Sequence, residues 1–153
     1  MWRRFGTPMA IAALLAVGAT AGSAAEPEPK RLRGPLERAW RDATEMATRS
    51  LGAEDAGRLT LLAYAAAVGR TCEGRSLDAA RYKAAFRTLA EERAPTLDDP
   101  KQVRSKLRRV SYHLGVATGV FLAEHALAPE RFCAGARDSI AADPEIAAFF
   151  APE

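Results

Sequence analysis

The sequence predicts an all-α fold: a single compact bundle of five to six helices around a buried central helix at about 99–127, stapled by one disulfide, Cys72–Cys133. Three observations carry the fold class. Apolar residues recur at three- and four-residue spacing through most of 35–150. No window alternates apolar and polar residues in the strand period. Prolines stand where helices would begin, at Pro35, Pro100, Pro129 and Pro144, two of them directly after an aspartate able to cap.

The first residues stand apart from this pattern. In MWRRFGTPMAIAALLAVGATAGSAA, Arg3 and Arg4 precede an apolar run from about Phe5 to Ala19, and small residues follow at Ser23 and Ala25. This is the layout of a secretory signal peptide over 1–25, with cleavage expected before Glu26. The run falls short of about 20 apolar residues and contains Pro8, which argues against a retained anchor helix. Residues 26–34, EPEPKRLRG, hold no apolar period and read as a flexible tail. The helical domain is then expected over 35–153.

Within it, Pro35 fits a first helical turn, and Leu36, Trp40, Ala43, Ala47 and Leu51 form one stripe that ends at Gly52. A second helix is expected from about Glu54 to Cys72, with Leu61, Ala65, Val68 and Cys72 on its inner face and Gly74 as its stop. Ser76 is the expected N-cap of a third helix carrying Leu77, Tyr82, Phe86 and Leu89 to about Arg93. The fourth has the clearest start: Asp99 caps, Pro100 fills the first turn, and Gln102 stands where a capping box needs it. Val103, Leu107, Val110, Leu114, Ala117 and Phe121 then keep a period near 3.5 to about Leu127. A fifth helix opens at Pro129 with Phe132, Cys133 and Ile140, and a short last one follows Asp143 and Pro144 with Phe149 and Phe150.

Residues 114–123 carry no charge and are apolar on every side of the fourth helix, too few to span a bilayer. This places that helix at the centre of the bundle. Gly115 and Gly119 lie one turn apart, and each costs a helix about 1 kcal/mol, which close approach of a neighbouring helix would offset.

Only Cys72 and Cys133 are present, and export would place them where two thiols become a disulfide. Loss of the signal removes Arg3 and Arg4 and no acid, taking the net charge from +3 to +1. A nearly neutral chain offers no concentrated basic surface for nucleic acid.

The chemistry available for a site is narrow. His113 and His125, the only histidines, sit on one helix roughly 18 Å apart and cannot share a metal. His113 is expected to be a hydrogen-bonded helix residue and His125 to offset the carbonyl end of its helix. No nucleophile elbow, glycine-rich phosphate loop or haem attachment motif occurs, so the protein is expected not to be an enzyme. The corner EERAPTLDDP, residues 91–100, brings Glu91 and Glu92 to one lip and Asp98 and Asp99 to the other. Hard carboxylate oxygens at a helix end suit Ca²⁺ or a lanthanide-type cation, and such a site could bridge two copies into a weak dimer. Lys101, Arg104 and Arg108 form a basic row at helical spacing that could hold an anionic partner. The apolar C-terminal IAAFFAPE is a second candidate contact. These features lead to the expectation of a small, non-catalytic periplasmic or secreted binding or accessory protein, with a protein partner in the envelope. A hard-cation site at 91–100 is its sharpest form, and an adaptor using the basic face or the C-terminal segment is the alternative.

Overall fold

The computed structural model describes residues 30–92 and 99–151, and all of the regular structure among them is helical. The chain runs α1 (Lys30–Leu51), α2 (Ala53–Thr71), α3 (Ala79–Arg87), a π-helical turn (Thr88–Glu92), α4 (Pro100–Leu127), α5 (Pro129–Ala142) and α6 (Pro144–Ala147). The all-α bundle is therefore borne out. None of these helices is long and apolar enough to cross a membrane.

Helix α1 begins earlier than its proline suggested. Residues 30–34, expected to belong to the flexible tail, are helical, and Pro35 lies inside α1. Lys, Arg and Leu are good helix formers, and a proline this near the start removes only one backbone bond. The rest of the expected tail, 26–29, and the signal segment 1–25 lie outside the described residues. Gly52 ends α1 as expected, at φ 88°, a left-handed conformation that side chains disfavour, with its N–H donating to the Thr48 carbonyl at 2.9 Å.

Helix α2 is the interior of the molecule. Leu59, Leu62 and Val68 are buried completely or nearly so, together with four alanines of the same helix, Ala56, Ala63, Ala65 and Ala67. Burial of each of the three larger side chains contributes about 1.5–3 kcal/mol. The alanines let neighbours approach closely. At Gly69 the approach is closest: a Cβ there would lie 3.0 Å from the Leu77 Cβ.

That contact marks where the third helix departs from expectation. Ser76 does not cap it; Asp78 does, its Oδ1 accepting from the N–H groups of Ala80 and Arg81, both at 3.0 Å. Residues 76–78 instead run extended against the C-terminal segment. The Asp78 N–H donates to the Phe149 carbonyl at 2.8 Å and the Ala151 N–H to the Ser76 carbonyl at 2.9 Å.

Cys72 caps the C-terminus of α2 and is bonded to Cys133 of α5, with Cα atoms 5.5 Å apart. The bridge closes 61 residues and on the chain-entropy model stabilises the fold by about 4 kcal/mol.

Helix α4 lies along both α1 and α2 and meets α5 and the π-helical turn, so the bundle is arranged about it. Its glycine-bearing side is not enclosed, however. Gly115 and Gly119 are exposed, and no other described element comes within 4 Å of a Cβ built on either. The expectation that they admit a neighbouring helix is corrected: the buried edge of α4 is the other side.

Candidate functional site

The rotation of α4 is set by Lys106, Val110, His113 and Ala117, its buried residues, at spacings of four, three and four. Periodicity had placed Leu107 inward; Leu107 is 37% exposed and Lys106 takes the inner position. The Lys106 Nζ lies 3.8 Å from the Asp55 Oδ2 at the start of α2, and both side chains are largely withdrawn from solvent. Among the described residues Nζ makes no hydrogen bond, so the ion pair is its compensation for lost water. Two turns further along the same edge, His113 is 7% exposed and its Nδ1 likewise has no hydrogen-bond partner among the described residues. The expected hydrogen bond is thus absent there. Burial pushes the His113 pKa below the usual histidine value, because the imidazolium would lose hydration with nothing to replace it. His125 stands in the last turn of α4, where its charge was expected to act, with its ring edge against Phe132 at 5.7 Å.

At about 100° per residue, that inner edge directs Lys101, Arg104, Arg108, Gly115 and Gly119 to the opposite side of the helix. All five are exposed. The basic row expected at Lys101, Arg104 and Arg108 is thus present as one surface. Among the described residues none of these three side chains has a hydrogen-bond or ion-pair partner, whereas Arg109 beside them turns back to the Ser105 hydroxyl at 3.4 Å. The row sits at the helix N-terminus, where the macrodipole is already positive, and the first turn contains no acid. Beyond Arg108 the same surface carries no charge: Tyr112, 59% exposed, is followed by Gly115, Gly119 and Ala123.

Of the four acids expected to share a hard cation, the structure describes the side chain of Asp99 alone. Residues 93–98, and so Asp98, lie outside the described residues, and nothing is described of the Glu91 and Glu92 side chains. Asp99 is the N-cap of α4: its Oδ1 accepts from the Lys101 N–H at 2.8 Å. Among the described residues no three His, Cys, Asp or Glu side chains are grouped to hold a metal.

The phenylalanines of the C-terminal candidate are turned toward the domain, which weakens that segment as a contact surface. Phe150 is 7% exposed, Phe149 is half-buried, and both pack into the core clusters of this chain. The backbone bonds to residues 76–78 hold that segment down, so its apolar surface is already used. A cleft of about 360 Å³ opens nearby over Leu62, Leu89 and Phe149. Its charged rim residues, Arg58 and Glu145, are of opposite sign, and Arg58 is paired to Glu54 at 3.1 Å, so no set of like groups converges on a ligand. Among the described residues, the outward face of α4 sets three exposed cations without a partner in line at one end of a helix. Compared with known proteins, the chain matches no family model, and neither a curated protein nor a solved structure shows significant similarity to it.

Proposed function

We propose that this is a small, non-catalytic envelope accessory protein that binds another protein through the outward face of α4. One observation carries the reading: α4 turns ionisable groups inward, at Lys106 and His113, and sets toward solvent an uncharged small-residue stretch and three cations that have no partner among the described residues. A helix whose only task was to close a core would gain stability from the reverse placement, since a buried ion pair is rarely better than apolar packing. Export rests on the signal-like opening of the sequence and is supported by the disulfide.

Photo-crosslinking in the intact cell envelope tests this. A photoreactive residue at position 108 or 112, on α4, is expected to trap a discrete adduct, and one at Arg41 on the exposed part of α1 to trap none. Adducts equally frequent from both helices, or from neither, would remove α4 as the working surface.

A further inference from the structure

Resting on that reading, we infer that the α4 face receives an acidic helical segment of a different polypeptide, with carboxylates over Lys101, Arg104 and Arg108 and small or apolar residues over Gly115 and Gly119. The partner's charge follows from the three cations. They are exposed, they lack partners among the described residues, and they add to the positive end of the α4 macrodipole, so potential accumulates there with only the Asp99 cap as a nearby described counter-charge. Its shape follows from their placement. Spacings of three and four keep them in line along α4, and a second helix can follow that line with carboxylates at the same intervals. The line continues onto Gly115 and Gly119, where no side chain holds an approaching backbone away.

Two other occupants fit less well. A second copy of this chain is the poorer match because, among the described residues, three of its helix glutamates are already offset by arginines one turn away, Glu37 by Arg33, Glu45 by Arg49 and Glu54 by Arg58. An anionic membrane would match the cations, but surface helices hold themselves there with bulky apolar side chains. Past Tyr112 this line presents glycine and alanine, which offer little area to insert.

The test uses the full processed chain and a synthetic helical peptide with glutamates at three- and four-residue spacing in one half and alanines in the other. Its comparators are the same peptide with the glutamates moved off register, vesicles containing phosphatidylglycerol, and sedimentation of the protein alone. Expected are saturable binding, amide shifts at Gly115 and Gly119, and about tenfold weaker binding by an Arg104→Glu, Arg108→Glu variant, a change of about 1.4 kcal/mol. Gly119→Leu, at an open surface position, should also weaken binding while leaving the helical signal unchanged. Equal binding of the off-register peptide, shifts confined to other helices, preference for the vesicles, or self-association that blocks α4 would each overturn the inference. Envelope adducts at 108 and 112 without peptide binding would defeat this inference alone; absence of adducts would defeat the functional proposal beneath it.

Discussion

Helices α2 and α4 pack along one another, yet they treat polarity in opposite ways. Between Leu59 and Val68, α2 has no charged residue and buries leucine, valine and alanine. Its charged residues lie toward its ends, with Asp55 among them. Along the facing edge of α4, a lysine and a histidine are buried, while on its far side an uncharged stretch meets water. Apolar burial accounts for α2. For α4 it accounts for Val110, Ala117 and the packing of Phe121 against Trp40, with ring centroids 4.8 Å apart, and leaves the outer face unexplained. A stretch that reads as core can thus form the outside of a bundle when its residues are too small to contribute much by burial.

The largest test of this contrast removes a charge pair that joins the two helices. Asp55→Ala strands the Lys106 ammonium in a largely dry position and should cost about 3 kcal/mol in urea unfolding. Lys106→Met, by contrast, removes the need for compensation at that site and should cost well under half as much. Equal losses would mean that the lysine reaches water and that the α4 edge is less polar in effect than in composition.

Glycine substitutions sharpen the comparison, because they should change sign between the helices. Gly69→Ala in α2 forces a methyl against Leu77 and should destabilise by about 1–3 kcal/mol. Gly115→Ala and Gly119→Ala in α4 meet open space and should each stabilise by about 0.5–1 kcal/mol, through better helix propensity. Thermal midpoints would suffice to read the signs. A loss at Gly119 comparable to that at Gly69 would restore the enclosed arrangement that the sequence suggests.

The smallest effect is on pH dependence. His113 has its folded-state pKa lowered from 6.5 by burial, so the unfolded chain binds the proton more tightly. Well above pH 6.5 neither state is protonated there and the residue has no influence on the pH dependence. As pH falls through 6.5 toward the folded-state value, stability declines, then levels once both states carry the proton. Urea midpoints of the parent should follow that course, and a His113→Leu variant should lose this component of the slope.

Much of the fold was legible in sequence, and the parts that were not share a cause. Local chemistry identified the Asp99 cap, the Gly52 stop and the fifth helix at Pro129, because each depends on residues a few positions apart. The Cys72–Cys133 pairing followed from there being only two cysteines. What could not be read locally was rotation. Val103, Leu107, Val110 and Leu114 satisfy a helical stripe, but Lys106, Val110, His113 and Ala117 satisfy one too, and only the groups they meet on other helices, Asp55 opposite Lys106 among them, tell the two apart. Glycine is equally silent, since a missing side chain reads the same beside a neighbour, as at Gly69, or beside water, as at Gly119. The basic row survived because unpaired surface cations need no tertiary partner to be recognised. The burial of the tail phenylalanines could not be read from sequence because their contacts, Leu77 and the core clusters, come from distant segments.

The Cys72–Cys133 bond encircles α3, the π-helical turn and the whole of α4 in one covalent ring. A single backbone cut within that ring cannot divide the molecule into separable pieces. The two products stay tethered, and the surface offered by α4 stays attached to the scaffold that orients it.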